Sequence, residues 1–130
     1  MPRDNSAGKQ RAFGLETVGL TKWFADVLAL DRVNLRVRAG SVHALLGENG
    51  AGKSTLVKCV MGYHRADSGD LLVGDRQHTV SDPRAAQKLG LGMVYQHFTL
   101  VPHMSVLENV VMARADVPAL IDWRRERENL

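Results

Sequence analysis

The sequence predicts an α/β fold, rich in strands first and then mixed α/β around a glycine-rich loop. Short apolar runs separated by turn residues fill the N-terminal part, which is typical of strands. From residue 42 to residue 61 an apolar run, a glycine-rich loop and a helical stretch follow one another. Later apolar runs alternate with helix-start signals. The length of 130 residues and the apolar content of 45% are those of one globular unit with a real core.

The first strands are predicted at Leu15–Leu20 and Val33–Val37, and apolar and polar residues alternate in the second of them. Val42–Leu46 is apolar enough for a buried strand, and Thr55–Met61 can begin a helix. Residues 1–14 are polar and contain glycine. We therefore expect a disordered extension over residues 1–14 and the start of the domain at residue 15.

A hairpin and one further strand are predicted in the second half of the chain. The hairpin pairs Asp70–Val73 with Gln77–Val80 and turns around Gly74 and Asp75, because Gly-Asp is typical turn chemistry. Leu91–Tyr95 is a short apolar run after a glycine, which favours another buried strand.

Two helices are predicted from their start signals. Asp82 is an expected N-cap with Pro83 in the first helical position, and Gly90 ends that helix. Ser105-Val106-Leu107-Glu108 has the spacing of a capping box and opens a helix through about Ala113. The C-terminal stretch ends in a charged helical segment.

Charge and cysteine content exclude several classes of protein. The net charge of +3 is concentrated at the two ends, and residues 15–123 carry equal numbers of basic and acidic side chains, so no nucleic-acid partner is expected. Cys59 is the only cysteine, which excludes an internal disulfide, and the five histidines lack the spacing of a metal cluster. No apolar run has membrane-spanning length, and no signal core follows the N-terminal charges. We expect a cytoplasmic location.

The most informative segment is a complete match to the phosphate-binding pattern G-x-x-x-x-G-K-[ST]. Glycines let the backbone curl so that successive N–H groups face an anion, and the following helix adds its positive dipole end. Lys53 can neutralise charge on the outer phosphates, and the Ser54 hydroxyl can bind Mg²⁺. An Asn49-Gly50 hairpin turn in a solvated loop is the alternative interpretation. The predicted nucleoside triphosphate site consists of Gly47, Glu48, Asn49, Gly50, Ala51, Gly52, Lys53 and Ser54.

The wider pattern resembles the ATP-binding subunit of an ABC transporter. The matching segments, from about Leu15 to Val111, are GLTKWF…ALDRVNLRV, HALLGENGAGKSTLVKCVMG, DSGDLLVGD and GMVYQHFTLVPHMSVLENV. The last segment is most similar to the branch that serves simple-sugar and nucleoside importers. The resemblance implies the N-terminal part of a P-loop NTPase fold of the ABC ATPase type, over residues 15–130, with ATP and Mg²⁺ as ligands. Within that fold an antiparallel β subdomain comes first and the start of the parallel core follows it. An incomplete parallel sheet leaves strands without neighbours, so we also expect an exposed apolar edge and a tendency to aggregate.

The resemblance also implies roles for individual residues. Phe24 would stack on adenine, with Trp23 as the neighbouring alternative and ordinary core packing as the other interpretation. Thr55 would join the phosphate-binding set at an inner phosphate, while Gln96 would bind Mg²⁺ and sense the γ-phosphate, or be only a turn residue after a strand. The segment from about His97 to Val111 would contact the membrane subunit on the inner face of the membrane, or be only a surface helix start.

The sequence departs from the family pattern in two ways. Ala25 stands where a glycine is common. Up to Leu130 there is no LSGGQ-type signature, no apolar strand ending in Asp-Glu and no switch histidine, so the domain would be incomplete at its C-terminus. These motifs would hold Mg²⁺, polarise the attacking water and complete the ATP site of a second ATPase subunit. We therefore expect nucleotide binding without efficient hydrolysis, and whether the chain alone is an enzyme stays open.

Two other classes of protein fit parts of the pattern. A non-catalytic interaction protein would still dock a membrane subunit through Val101–Val111. It would differ from an ATP-binding component in ATP affinity and in its response to Lys53→Ala. A small-molecule kinase would transfer phosphate to an acceptor other than water, but Phe24 and Gln96 would then be coincidences.

Overall fold

The computed structural model describes residues 14–95, 100–114 and 116–129. The expected N-terminal extension, apart from Gly14, lies outside the described residues, and so does Gln96.

Within the described residues, four strands form one antiparallel sheet in the order β2-β1-β3-β4. The strands are β1 (Leu15–Phe24), β2 (Val27–Val37), β3 (Ser68–Val73) and β4 (Arg76–His78). The antiparallel part of the prediction is confirmed, although β1 extends four residues beyond the predicted end and β2 begins six residues before the predicted start. The hairpin of β3 and β4 turns at Gly74-Asp75 as predicted.

The described helices are α1 (Lys53–Val60), α2 (Pro83–Lys88), α3 (Val106–Met112) and α4 (Trp123–Glu128). Each of the two predicted start signals is confirmed. At α2 the Asp82 carboxylate accepts a hydrogen bond from an N–H of the first turn. At α3 both hydrogen bonds of the capping box are formed, which satisfies N–H groups that a helix end otherwise leaves unpaired.

Two strand predictions are wrong. Val42–Leu46 and Leu91–Tyr95 have no strand conformation, and in the part of the chain that the structure describes neither segment belongs to the sheet. A strand needs a neighbour that satisfies its backbone groups, and apolar side chains alone do not supply one. Val42 and Val94 are almost fully exposed, so these irregular segments carry exposed apolar side chains, whereas the apolar edge was expected on a parallel sheet.

The core lies where α1 packs on the sheet. Leu20 of β1, Leu30 of β2, and Leu56 and Cys59 of α1 form one buried cluster. Their burial comes from the apolar faces of the two long strands and one face of the helix. This packing fixes the position of α1, and therefore of the loop that precedes it, against the sheet.

Candidate nucleotide-binding site

The glycine-rich loop reaches α1 through two residues with left-handed backbone. Gly50 and Gly52 both have φ of 87°, a conformation that side chains disfavour. A Cβ added to Gly52 would lie 2.7 Å from the carbonyl oxygen of Ala29 and 3.1 Å from Leu30 Cδ2. Gly52 therefore packs directly against β2, and the sheet fixes the end of the loop. The alternative of a hairpin at Asn49-Gly50 is wrong, because no strand flanks that turn in the described residues.

The N-terminus of α1 is open to an anion. Gly52 is the N-cap, and within the described part of the chain no side chain caps the helix there. The first turn carries no acidic residue. The first N–H groups of a helix have no intrahelical acceptor, and the helix dipole makes this end positive. This donor set fits the oxygens of a phosphate group.

Lys53 folds back over the loop that precedes it. Its Nζ donates hydrogen bonds of 2.6 Å to the carbonyl oxygens of Gly47 and Glu48. An ammonium group has three donors, so a further acceptor can be bound without breaking either contact. The side chain thus places a positive charge at the loop, where a polyphosphate would need it.

Ser54 and Thr55 complete the predicted phosphate-binding set at the start of α1. Ser54 is exposed and Thr55 is half-buried. Among the described residues, no group of three His, Cys, Asp or Glu side chains could hold a metal ion by itself. Mg²⁺ is commonly bound through few protein ligands, waters and substrate phosphates. The Ser54 hydroxyl fits such a role, and Gln96, the other predicted ligand, lies outside the described residues.

Phe24 ends β1 and keeps a large part of its ring accessible. Its exposed fraction is 40%, so it is not a core residue, and the core-packing interpretation is wrong. The His64 ring meets it edge to face, with the ring centroids 5.1 Å apart. The Lys22 ammonium lies 5.4 Å from the Phe24 centroid. Trp23, the predicted alternative, is also exposed, at 46%.

Asp67 fixes the end of β1 beside Phe24, and sequence reasoning missed it together with Lys22 and His64. Its carboxylate accepts a hydrogen bond of 2.6 Å from the backbone N–H of Trp23 and forms an ion pair of 3.2 Å with Lys22. These contacts, the Trp23 N–H first, lower the pKa of the Asp67 carboxyl. Lys22 and Asp67 are separated by 45 residues, so no local pattern reveals the pair.

The segment predicted to meet a membrane subunit forms a groove in its described part, residues 100–111. Asn109 holds the turn before α3, because its Oδ1 accepts from Val101 N–H at 2.8 Å and its Nδ2 donates to the Met104 carbonyl at 3.1 Å. The groove has a volume of about 390 Å³ and is lined mainly by apolar side chains. Several of them are exposed, among them Leu100, Val101, Val106 and Val110.

None of the helices in the described residues combines the length and the apolar character that crossing a bilayer requires.

The antiparallel sheet, the glycine-rich loop and the open start of α1 together define a nucleotide-binding fold of the P-loop class. The sequence model of the ABC transporter family matches residues 30–129. The chain belongs to the ABC transporter family. This confirms the family that the sequence pattern resembled.

Curated relatives share almost half of the aligned residues. The galactose/methyl galactoside import ATP-binding protein of Clostridium tetani is 47% identical over 103 residues, which cover 79% of this chain and 20% of that protein. A ribose import ATP-binding protein of Rubrobacter xylanophilus is 46% identical over 100 residues, covering 77% of this chain and 20% of the relative. The predicted similarity to sugar importers is therefore confirmed. The chain spans about a fifth of the length of these relatives.

Solved structures confirm the predicted fold class. A nucleotide-free ATP-binding cassette from an ABC transporter has a TM-score of 0.69 and 32% identity, covering 77% of this chain and 40% of the cassette. An ATP-binding cassette in its ADP conformation has a TM-score of 0.70 and 27% identity, covering 91% of this chain and 46% of the cassette.

Proposed function

We propose that this chain binds MgATP as part of the ATP-binding component of an ABC importer for a sugar or nucleoside. The observation that carries the proposal is the open N-terminus of α1. The loop before it packs against β2 at Gly52, and the Lys53 ammonium donates a hydrogen bond to a carbonyl oxygen of this loop. The names of the relatives support a sugar as the solute.

Different residues of the proposed site bind different parts of MgATP. The backbone N–H groups from Gly47 to Thr55 bind phosphate oxygens, with Thr55 at an inner phosphate. Lys53 binds the outer phosphates, and Ser54 and Gln96 bind Mg²⁺. Phe24 stacks on adenine. The metal supplies charge neutralisation when bound, and these residues hold and orient the phosphates.

Calorimetric titration of the 130-residue chain with MgATP tests the site. Lys53→Ala removes a charge-assisted hydrogen bond to phosphate, so we expect affinity to fall roughly 10-fold or more. Lys58→Ala is the matched control, because Lys58 is an exposed lysine in the last turn of the same helix. Equal losses for the two variants would contradict the proposed site.

We propose further that these residues bind nucleotide without efficient hydrolysis. Phosphoryl transfer to water needs a positioned nucleophile, and the carboxylates Glu108, Asp116, Asp122, Glu126 and Glu128 do not follow an apolar strand as a water-activating residue of this family would. Phosphate release by the purified chain should stay close to that of Lys53→Ala. A turnover typical of the family that Lys53→Ala abolishes would overturn this part of the proposal.

The proposed partner is the transmembrane subunit of the importer, bound at the inner face of the membrane through about His97–Val111. The exposed apolar groove before and along α3 supports this assignment. Val106→Glu should weaken co-purification with a co-expressed membrane subunit, whereas Leu120→Glu, a change at another exposed apolar residue, should not. Equal binding by both variants would count against the groove. A second ATPase subunit would be a further partner of the complete component.

A non-catalytic docking protein is the other candidate function. The same exposed groove favours it, because docking does not depend on nucleotide. Lys53→Ala separates the two functions. It should leave docking intact in both, but only in an ATP-binding component does it remove a measurable MgATP affinity.

A further inference from the structure

We propose that Lys22, held by Asp67, is a positioning residue for the Phe24 ring, and that the adenine base stacks on the ring face opposite the Lys22 ammonium. The inference rests on the proposed function, because it concerns the base end of the same nucleotide site. It assigns roles to two charged residues outside the phosphate loop.

Lys22 and Phe24 lie two positions apart on β1, so their side chains emerge on the same face of the strand. The Lys22 side chain is only 14% exposed, although lysine normally extends into water. Its ammonium is 5.4 Å from the Phe24 centroid, within the range of a cation–π contact. One face of the ring is thereby occupied, and Phe24 as a residue is still 40% exposed, which leaves surface for a ligand.

Asp67 keeps Lys22 in that place. Besides its ion pair with Lys22 and its hydrogen bond from the Trp23 N–H, its own backbone N–H donates to the Thr21 carbonyl at 2.9 Å. Three consecutive residues of β1 are therefore bound by one aspartate. The Lys22 ammonium has little freedom to leave the ring.

His64 limits the tilt of the ring from a second direction. The two ring planes are 79° apart, an edge-to-face arrangement. The His64 backbone N–H donates to the Lys58 carbonyl at 3.2 Å, in the last turn of α1. The helix whose N-terminus is the proposed phosphate site thus also anchors His64, just beyond its C-terminal end.

Two ligands separate a base platform from a phosphate site. MgATP has both a base and phosphates, whereas magnesium tripolyphosphate has only the phosphates. We expect Phe24→Ala to weaken binding of MgATP roughly 5- to 150-fold, since stacking on an aromatic side chain contributes about this much per base. Lys22→Met should weaken it by a smaller factor, and neither variant should change the binding of tripolyphosphate. Lys53→Ala should weaken both ligands.

Two further variants test positioning against a general loss of structure. Lys22→Arg retains a cation over the ring and should restore at least half of the MgATP affinity lost in Lys22→Met. Asp67→Asn should behave as Lys22→Met does. Lys58→Met is the matched control and should change neither affinity. Thermal unfolding of each variant identifies those that do not fold. If Asp67→Asn does not fold, the comparison of Lys22→Arg with Lys22→Met still tests the positioning role.

The outcomes distinguish this inference from the proposed function. If Lys53→Ala weakens both ligands but Lys22→Met weakens neither, the phosphate site stands and the positioning role fails. The role also fails if Lys22→Met weakens both ligands equally. If the unmodified chain binds neither ligand, the proposed function fails and this inference fails with it.

Discussion

The sharpest test of the loop geometry compares alanine at Gly50 with alanine at Gly52. Both glycines have φ of 87°, so an added methyl group meets a backbone penalty of about 1–2 kcal/mol at each position. Their surroundings differ. The Cβ at Gly50 would enter open space, whereas at Gly52 it would lie 2.7 Å from the backbone oxygen of Ala29.

That contact sets the expected difference between the variants. A backbone carbonyl in a strand cannot move away as a flexible side chain does, so either β2 or the start of α1 must shift. Forcing extra volume into a packed contact costs about 1–3 kcal/mol, in addition to the backbone term. We expect the free energy of unfolding to fall by about 1–2 kcal/mol in Gly50→Ala, from the backbone penalty alone. We expect a fall of about 2–5 kcal/mol in Gly52→Ala, from the two terms together.

Urea unfolding followed by circular dichroism measures both values, and titration with MgATP under native conditions measures the functional consequence. Gly52→Ala should also bind MgATP more weakly than Gly50→Ala, because a shift of α1 moves its N–H groups away from the phosphates. Equal destabilisation by the two substitutions would refute the reasoning, since only the substitution at Gly52 adds a contact with β2.

Three further predictions concern the sheet and the helix caps. Ala25 has a left-handed φ of 49°. Ala25→Gly should raise the free energy of unfolding by about 0.5–1 kcal/mol, because the relief of strain exceeds the cost of the entropy that glycine adds to the unfolded chain. A lower thermal midpoint would contradict this. Thr17 is 1% exposed, and its hydroxyl bridges two backbone groups of β2. Thr17→Val should therefore cost about 1–3 kcal/mol in urea unfolding, with Thr17→Ser as the control that keeps the hydroxyl. Hydrogen bonds from Ser105 lower the pKa of the Glu108 carboxyl below its ordinary value. The ionised carboxylate therefore stabilises the fold fully when the pH is above the ordinary pKa, and this stabilisation is lost as the pH falls through the lowered pKa. The difference in thermal midpoint between the unmodified chain and Glu108→Gln should disappear at acidic pH, and a difference that persists there would exclude the carboxylate as its cause.

The features that the sequence predicted correctly depend on short-range chemistry. The N-cap Asp82 and the box of Ser105 and Glu108 satisfy N–H groups within one turn, so residue type and spacing suffice to identify them. The turn at Gly74-Asp75 is equally local. Strands such as Val42–Leu46 depend on a neighbour elsewhere in the chain, and their apolar composition reports a preference for burial, not the presence of that neighbour.

The candidate site also contains a part with a local sequence pattern and a part that depends on distant contacts. The predicted phosphate loop is contiguous, so the pattern alone was enough to name its residues, and their role stays a prediction. The surroundings of Phe24 could not, because Lys22 and Asp67 meet across 45 residues and His64 reaches the ring from the end of α1. A histidine or an aspartate in a turn region carries no local sign of such a contact.

Both ends of the proposed nucleotide site depend on the position of α1. Its first turn is held on β2 by the close approach of Gly52 to Ala29, and the residues after its last turn are held on β1 through Asp67. A shift of the helix relative to the sheet would therefore move the phosphate loop relative to Phe24 and Lys22, which lie on β1. The distance between the two ends is set by the antiparallel pairing of β1 with β2, whose hydrogen bonds do not depend on the nucleotide. The sheet thus preorganises the site, and a substitution that loosens its packing, such as Thr17→Val, is expected to weaken MgATP binding without touching any residue of the loop.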